Sequence, residues 1–464
     1  MSRLIVVSNR VGSVDKNESA GGLAIALGAA LRKTGGIWFG WNGDILDDNA
    51  AAPSVNTQVS GNVSVATLPL TQREYDAYYL GFSNQVLWPV FHYRLDLAEF
   101  ETDFFTTYRR VNDKFADAVA AMMRDDDIVW VHDYHLIPFG EALRAIRPAS
   151  AAGFFLHIPF PPHQILAAIP RYELLIRGLF HYDIVGFQTN DDVANFRQTV
   201  LRDFQGEELP DGRLRAFGRT VTAAAFPIGL DVENIKRFAA GGDADQIRRR
   251  LDRRTTAARH VIGVDRLDYS KGIPNRLLAF ERFLEMHNEY HRVVTLMQIA
   301  PPSRETVEAY ADITMELEQV SGRINGRFAD FDWTPVRYIH RNMARDTLAA
   351  LFRGSKAAMI TPLRDGMNLV AKEYVAAQDP SDPGVLLLSR FAGAAEDMKE
   401  ALIVNPYDID GTARALHEAL SMPLPWRQDR HAALLKRIED GNVHVWAERF
   451  LETLSAVRPP HEDQ

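Results

Sequence analysis

Short apolar runs alternate along this chain with longer stretches in which apolar residues recur every third or fourth position. The short runs predict buried strands, and the periodic stretches predict amphipathic helices such as Asp191 to Phe204. In the first half of the chain the predicted strands are Leu4 to Val7, Ile37 to Phe39, Ile128 to Val131, Gly153 to Ile158, Ile184 to Phe187 and Thr222 to Phe226. Strands and helices that alternate in this way indicate a parallel sheet covered on both faces.

The same rhythm starts again after Pro227-Ile228-Gly229. Strands are predicted at 260–264, 293–299, 336–339, 357–361, 384–388 and 402–404, with helices near 274–288, 304–322, 344–352 and 367–378. We therefore predict an α/β protein with two doubly wound domains in tandem. The boundaries that we expect are 1–228 for the first domain, 229–445 for the second, and 446–464 for a C-terminal helix and tail with the option of packing back on the first domain.

Composition narrows the class of protein. A chain of 464 residues exceeds what one hydrophobic core usually supports, and 46% hydrophobic with 24% charged residues is typical of soluble globular domains. A net charge of −9 argues against a nucleic-acid partner. The absence of cysteine excludes disulfides and thiolate chemistry, and no apolar stretch is long enough for a membrane span. A cytoplasmic enzyme is the expectation.

Two cations, Arg266 and Lys271, follow the predicted strand 260–264. The carboxyl end of a parallel strand is where such sheets bind ligands. Transfer of a sugar from a nucleoside diphosphate builds negative charge on the departing phosphate, so fixed cations suit that chemistry. The alternative is an ion pair with Asp265 or Asp268.

A second polar stretch follows the strand 357–361. Gly366 lets backbone approach a ligand, Asp365 could accept from a sugar hydroxyl, and Glu373 from a ribose. The alternatives make Asp365 a helix N-cap and Glu373 a solvated helix residue. Phosphate could also be held by the amides at the start of the predicted helix, those of Met367, Asn368 and Leu369.

Arg10 ends the first strand, and Gly21-Gly22 opens the next helix. A cation beside exposed amides suits an anionic sugar, although a lone arginine at a strand end is often structural. Arg304, after the strand 293–299, is a second candidate for the same anion.

His132-Asp133-Tyr134-His135 follows the strand Ile128 to Val131. These residues are too few and too close together for a metal site without a further ligand, so Asp133 is interpreted as a hydroxyl acceptor. His157 either touches a sugar or satisfies a hydrogen bond in the core. Aromatic residues also cluster in the first half of the chain, and although such rings can stack on sugars, they more often form the core.

These residues belong to longer strings that resemble the trehalose-6-phosphate synthases, retaining glycosyltransferases of the GT-B fold, over nearly the whole chain. The strings are Val7-Ser8-Asn9-Arg10, Ala20-Gly21-Gly22-Leu23, Trp38-Phe39-Gly40-Trp41, Leu87-Trp88-Pro89, His92-Tyr93-Arg94, His132-Asp133-Tyr134-His135, His157-Ile158-Pro159-Phe160-Pro161, Arg266 to Gly272, and Thr361 to Glu373.

The resemblance implies two Rossmann-like domains that face each other across a cleft, with the acceptor on the side of the first domain and the donor on the side of the second. It implies glucose transfer from UDP-glucose, or a related nucleotide glucose, to glucose 6-phosphate. The product would be trehalose 6-phosphate. The family works without a metal or other cofactor, and attack is thought to come from the front face, with the acceptor proton passing to the leaving phosphate.

The resemblance also implies roles for individual residues. Catalysis would rest on Arg266, Lys271 and Asp365. The same three would bind the donor together with Gly22, His157, Gly366, Met367, Asn368, Leu369, Val370 and Glu373. The acceptor would be held by Arg10, Tyr79, Trp88, Asp133 and Arg304. The chain departs from the family pattern at 205–221, which is interpreted as a variable loop, and at Met343, where relatives often carry an aromatic residue.

Two alternatives stay open at this point. One keeps the chemistry but uses a cyclitol donor and an amino-cyclitol phosphate, and the other is a sensor of sugar phosphates without catalysis. The sequence does not choose among UDP-, GDP- and ADP-glucose, and it leaves a homo-oligomer open.

Overall fold

The computed structural model describes residues 3–11, 22–50, 53–241, 246–247, 259–303 and 308–457. Internal contacts divide the chain into two compact units. Unit 1 contains Met1–Ile228 and Val443–Gln464, and unit 2 contains Gly229–Asn442. The chain therefore passes from unit 1 to unit 2 and back again.

In the described part of unit 1, ten strands form one sheet in the order β3-β4-β2-β1-β5-β6-β7-β10-β9-β8. The strands from β4 to β10 in that order are parallel, whereas β3, β9 and β8 pair antiparallel at the two ends. Their bounds are β1 Leu4–Arg10, β2 Gly36–Leu46, β3 Asn56–Ser60, β4 Val63–Thr71, β5 Ile128–His132, β6 Ala151–Phe155, β7 Ile184–Phe187, β8 Glu207–Glu208, β9 Leu214–Ala216 and β10 Arg219–Ala225.

The helical segment of unit 1 that begins at Gln72 has a clear start signal. The Thr71 hydroxyl accepts from the Glu74 amide, and the Glu74 carboxylate accepts from the Thr71 amide, which is a capping box. The segment then runs through Gln72–Glu74, the π-helical Tyr75–Leu87 and Trp88–Phe91. The other helices are Gly22–Thr34, Thr102–Met122, Phe139–Ile146, His163–Leu166, Tyr172–Leu179, Asn190–Asp203 and Val443–Val457, with 3-10 turns at Leu95–Leu97 and Tyr134–Leu136.

Unit 2 has a sheet of six parallel strands, in its described part, in the order β13-β12-β11-β14-β15-β16. These are β11 Arg259–Val264, β12 Val294–Ile299, β13 Val336–Ile339, β14 Ala357–Ile360, β15 Val385–Ser389 and β16 Leu402–Val404. Its helices are Val232–Ala240, Ile273–Met286, Glu308–Phe328, Arg345–Arg353, Leu369–Ala377, Ile409–Ser421 and Leu424–Asp440, with 3-10 turns at Tyr269–Lys271, Asn288–Tyr290 and Gly393–Glu396. The order is that of a dinucleotide-binding fold, with its switch point between β11 and β14.

Some predictions about elements were wrong in detail. The strand expected at 153–158 lies at Ala151–Phe155, so His157 follows the strand instead of ending it. The segment 205–221 is not simply a loop, since β8, β9 and the start of β10 form an antiparallel ladder there. The antiparallel β3 and the parallel β4 were not predicted. No helix in the described part of the chain has the length and apolar character needed to cross a bilayer.

The helix Val443–Val457 packs on the sheet of unit 1. Trp446 and Phe450 lie with ring centroids 4.9 and 4.7 Å from that of Trp130 on β5. Room for Phe450 comes from two glycines, because a Cβ at Gly153 or Gly186 would come within 2.8 Å of its ring. The last helix is therefore part of the core of unit 1.

Candidate active site

The polar candidates lie at the switch points of the two sheets. In unit 2 the loops after β11 and β14 carry Lys271 and Asp365, and these two strands are neighbours. In unit 1 Arg10 ends β1 and Asp133 follows β5, which are also neighbours. Carboxyl ends of adjacent parallel strands meet at one edge, so each fold gathers residues that are far apart in sequence.

The two loops of unit 2 are joined by their backbones. The Leu363 amide donates to the Ser270 carbonyl at 2.7 Å. Gly272 has a left-handed φ of +61°, and a Cβ there would lie 2.6 Å from the Thr361 carbonyl oxygen. Only glycine fits this turn without displacement, so the spacing of the loops depends on it.

Lys271, Asp365 and Asn368 form the core of what we call the unit 2 cluster, which Arg266 completes. Lys271 Nζ lies 2.6 Å from Asp365 Oδ2, with little exposure of either side chain, and Asn368 Nδ2 donates to the same oxygen at 3.0 Å. The Asn368 side chain accepts from the Ala371 amide at 3.2 Å, so Asn368 caps the helix Leu369–Ala377. The alternative that made Asp365 the N-cap is therefore wrong.

Arg266 is the exposed cation of the cluster. Its side chain is 46% exposed and lies 3.6 Å from Asp268, which is fully buried. Asp268 in turn accepts from the Ser270 hydroxyl at 2.8 Å and from the Tyr310 hydroxyl at 3.2 Å. The alternative pairing of Arg266 with Asp268 is thus present as a wide ion pair.

The alternative pairing with Asp265 is wrong. Asp265 instead contacts Arg276 at 2.7 Å, with both side chains buried. Burial raises the pKa of the Asp265 carboxyl, against the opposing effect of Arg276 and Lys271. This pair holds the loop after β11 from within the core, whereas Arg266 lies at the surface and donates to the Ser303 hydroxyl at 3.2 Å.

The helix after β14 begins at Leu369, two residues later than the predicted 367. Gly366 and Met367 are buried loop residues, and the Met367 carbonyl accepts from the Ala394 amide at 2.9 Å. Leu369 and Val370, in the first turn, are half-buried.

Glu373 lies further along the same helix and is only partly exposed. Burial raises the pKa of its carboxyl, while Arg345 at 3.8 Å acts in the opposite direction. The alternative of a solvated helix residue therefore does not describe Glu373.

In unit 1, Arg10 lies over an aromatic surface. Its guanidinium carbon is 5.4 Å from the Trp41 ring, and a Cβ at Gly43, whose φ is +96°, would come within 2.5 Å of the guanidinium. Tyr79 stacks 6.0 Å from His135, at 11° between ring planes, and contacts Trp41 at 5.5 Å. An exposed cation beside aromatic faces can hold an anionic sugar.

Trp88 differs from Tyr79 because its side chain is almost fully enclosed. It is 5% exposed and packs 4.1 Å from His92 and 5.7 Å from Tyr134. The structure thus gives Trp88 a packing role, and its predicted contact with a sugar stays a prediction.

Asp133 has backbone strain. Its φ of +78° with ψ of 164° is a region that residues other than glycine rarely adopt. The Asp133 amide donates to the Phe155 carbonyl at 2.8 Å, and its carboxylate accepts from the His157 amide at 3.2 Å. These contacts hold Asp133 beside His157 at the carboxyl ends of β5 and β6.

The protonation of His157 is set by its neighbours. The Ile228 amide donates to Gln188 Oε1 at 3.1 Å. This contact orients the Gln188 side chain so that its amide nitrogen faces His157 Nδ1 at 3.5 Å. Since that nitrogen can only donate, His157 Nδ1 must accept, and His157 Nε2 carries the hydrogen toward His132 Nδ1 at 3.1 Å. Burial lowers the pKa of His157 to about 3 and that of His132 well below its ordinary value. Both rings are neutral.

Three of the residues singled out from the sequence, Gly21, Gly22 and Arg304, have little or no structural description. Gly22 is the first residue of the helix Gly22–Thr34. Gly21 and Arg304 lie outside the described residues. Sequence reasoning missed Gln188, Tyr310 and Arg276, which position His157, Asp268 and Asp265; for Gln188 the signal was a polar residue directly after the apolar strand β7.

Comparisons with known proteins give this arrangement a family. The model of glycosyltransferase family 20 matches residues 3–456. A trehalose-6-phosphate synthase from Klebsiella pneumoniae is 47% identical and covers 100% of this chain and 97% of its own.

Two solved structures are similar throughout. A UDP-forming α,α-trehalose-phosphate synthase from Burkholderia xenovorans, in complex with glucose-6-phosphate, has a TM-score of 0.94 and 49% identity over 98% of this chain and 100% of its own. A structure from E. coli bound with UDP-2-fluoro glucose has a TM-score of 0.92 and 43% identity over 98% of this chain and 99% of its own. The predicted two-domain GT-B fold is confirmed by these matches.

Proposed function

Because this chain belongs to glycosyltransferase family 20, we propose that it transfers glucose from UDP-glucose to glucose 6-phosphate and forms trehalose 6-phosphate and UDP. The relative bound to glucose-6-phosphate and the one bound to UDP-2-fluoro glucose support this pair of substrates. The observation that carries the proposal is the unit 2 cluster, in which Lys271 contacts Asp365 at 2.6 Å and the exposed Arg266 lies in the same loop as Lys271.

On the donor side, we propose that Arg266 and Lys271 bind the diphosphate and that Asp365 accepts from a glucosyl hydroxyl. Lys271 then holds a carboxylate in the absence of donor and shares its charge with a phosphate when donor binds. The other donor contacts proposed are Gly22, His157, Gly366, Met367, Asn368, Leu369, Val370 and Glu373.

On the acceptor side, we propose that Arg10 holds the 6-phosphate and that Tyr79 and Asp133 contact the sugar ring and its hydroxyls. Trp88 and Arg304 complete the proposed acceptor set. The strained backbone of Asp133 supports its place here, because such strain is concentrated at functional sites.

The proposed reaction proceeds with retention of configuration. The bond from the glucosyl anomeric carbon to the UDP oxygen breaks, and the anomeric hydroxyl of glucose 6-phosphate attacks from the same face. Its proton passes to the departing phosphate oxygen, whose charge Arg266 and Lys271 stabilise. This route needs no pair of catalytic carboxylates of the glycosidase type.

The decisive experiment is a donor panel. The purified protein is incubated with glucose 6-phosphate and, separately, with UDP-, GDP- or ADP-glucose, and nucleotide release and product linkage are measured by NMR. We expect release that depends on both substrates, fastest with UDP-glucose, and an α,α-1,1 product. Binding of both ligands with no turnover for any donor would favour a sensor, and turnover only with an amino-cyclitol phosphate would favour the pseudo-disaccharide route.

Location and assembly also belong to the proposal. We propose a cytoplasmic protein and leave a homo-oligomer as a prediction that light scattering of the purified chain can test.

A further inference from the structure

Outside both clusters, unit 2 brings two histidines and a glutamate together. His287 directly follows the helix Ile273–Met286, Glu289 lies in the turn Asn288–Tyr290, and His417 lies on the helix Ile409–Ser421. One ligand atom from each of the three side chains lies within 4.8 Å of the others. Nothing in the proposed transfer reaction uses these residues.

The two imidazole rings of this group are stacked, and one of them contacts the Glu289 carboxylate. The His287 and His417 rings lie 4.0 Å apart with 3° between their planes, and His287 Nδ1 contacts Glu289 Oε1 at 3.2 Å. His417 Nδ1 is buried and has no hydrogen-bond partner among the described residues. A buried polar atom without a partner costs free energy, which a ligand at that atom would offset.

The edges of the group are formed by Tyr290, whose ring meets those of both histidines nearly at right angles, at 6.1 and 5.7 Å. Glu289 is mostly exposed, while the His287 side chain is only 19% exposed. An ion could therefore enter from solvent on the side of Glu289 and reach the more enclosed imidazoles.

We propose that His287, Glu289 and His417 bind a divalent transition-metal ion of the Zn²⁺ type. Imidazole nitrogens and one carboxylate oxygen are ligands that such ions prefer over Mg²⁺ or Ca²⁺. With a water as fourth ligand they complete a tetrahedral site. The ion would link the turn after one helix to the neighbouring helix, so its effect is on the stability of unit 2.

The spacing of the group suits such an ion. Donor atoms about 2.1 Å from a tetrahedral ion lie roughly 3.4 Å from one another. His287 Nδ1 and Glu289 Oε1, at 3.2 Å, are already this close, and a ligand atom of His417 lies within 4.8 Å of ligand atoms of both.

The test uses the full-length protein after treatment with a chelator. Zn²⁺ binding is measured by calorimetry, and Co²⁺ is added separately to look for the visible absorption of a tetrahedral site. We expect one Zn²⁺ per chain and a higher thermal unfolding temperature with Zn²⁺. His417→Gln and Glu289→Gln should each weaken binding at least about tenfold. His444→Gln, a change at an exposed histidine outside the group, is the matched control and should bind as wild type does.

Glu289→Gln protects the test against a folding defect, because the side chain is exposed and its loss leaves the ring packing intact. Glucosyl transfer without metal should be unchanged in this variant, so its outcome is separate from that of the proposed function. The proposal is overturned if no Zn²⁺ binds, or if Glu289→Gln, His417→Gln and His444→Gln bind it equally, which would indicate an adventitious ion only.

Discussion

At the scale of single residues, the two cations of the unit 2 cluster are held in different ways. Lys271 is enclosed and contacts Asp365 at 2.6 Å, whereas the Arg266 side chain is 46% exposed and lies 3.6 Å from the Asp268 carboxylate. Removing Lys271 leaves the enclosed Asp365 carboxylate without its ion-pair partner. When Arg266 is removed, the buried Asp268 keeps its hydrogen bonds from Ser270 and Tyr310 and loses only a wide ion pair to an exposed cation. The two cations should therefore differ in their effect on stability even though both are proposed to act on the same phosphate.

We expect Arg266→Ala to lower kcat about 10²- to 10³-fold with little change in the unfolding temperature. Lys271→Ala should lower kcat by a similar factor and also reduce the free energy of unfolding by about 3 kcal/mol. Steady-state kinetics and denaturant titration measure the two effects. Arg414→Ala, at an exposed arginine outside the cluster, is the control and should change neither. Undiminished turnover in Arg266→Ala would refute the proposed diphosphate site.

The hydrogen-bond chain through Gln188 predicts the tautomer of His157. Glutamate at position 188 can accept from the Ile228 amide but cannot donate to His157, so Gln188→Glu should move the His157 hydrogen from Nε2 to Nδ1. We expect nitrogen NMR of the ring to show this change of tautomer. We also expect kcat/KM for the donor to fall about tenfold or more. An unchanged spectrum in Gln188→Glu would contradict the chain of donors.

Neutral His157 also predicts a loss of stability in acid. Its pKa is about 3 in the folded protein and 6.5 ordinarily, so between these values the unfolded chain binds a proton that the folded chain does not. Above about pH 6.5 His157 does not reduce the free energy of unfolding. Below that pH its contribution lowers the free energy of unfolding by about 1.4 kcal/mol for each pH unit, until about pH 3. Urea unfolding at about pH 7.5 and at about pH 5.5 measures this decrease in the free energy of unfolding, which should be smaller for His157→Gln than for wild type. His444→Gln should keep the full loss, and equal losses in all three proteins would exclude this origin.

At the scale of elements, the sequence predicted what local patterns encode. The apolar runs located β11, β12 and β14 closely, because these strands are buried along nearly their whole length. The strand β3 was missed because its residues are mainly exposed, and an edge strand carries no such run. Pairing of β3 with β4 depends on tertiary contact, which a local pattern does not contain.

For the candidate site residues, too, local patterns indicated single residues, whereas their contacts depend on the tertiary structure. Lys271 and Asp365 could be recognised because each follows an apolar strand, but their contact depends on β11 and β14 being neighbours, and that is a property of strand order. The sequence does not identify Asn368 as the N-cap, because Asp and Asn are equally favoured at that position and Asp365 was an equally good candidate. The strain at Asp133 is likewise visible only in the folded backbone.

The turn at Gly272 allows a test of how the loops of unit 2 are held together. A methyl group at Gly272 would meet the Thr361 carbonyl at 2.6 Å in addition to requiring a left-handed φ. We expect Gly272→Ala to reduce stability by about 2 kcal/mol or more and to lower kcat, because Lys271 would move away from Asp365. Gly212→Ala is the matched control, with a φ of +81° and nothing within 4 Å. Equal effects on stability and no effect on kcat would mean that the close approach to Thr361 does not matter.

At the scale of the whole molecule, the chain completes unit 1 only with its last described helix. Phe450 fills the space over Gly153 and Gly186 and stacks on Trp130, so unit 1 lacks part of its core until the helix Val443–Val457 has docked. By contrast, the residues Gly229–Asn442 make unit 2 from one continuous stretch. A defect in this last helix should therefore destabilise unit 1 and leave the sheet of unit 2 intact.

We expect Phe450→Ala to reduce the stability of unit 1 by about 3 to 5 kcal/mol, since it removes a large ring that is fully buried. Calorimetry should show a lower unfolding temperature for the transition of unit 1 and an unchanged unfolding temperature for that of unit 2. UDP should raise the unfolding temperature of unit 2, because the proposed donor residues Arg266 and Lys271 lie there. Phe331→Ala, at a side chain 92% exposed, is the control and should shift neither transition. If Phe450→Ala lowered both transitions equally and UDP stabilised neither, the two units would unfold as one, and the assignment of the donor site to unit 2 would lose its support.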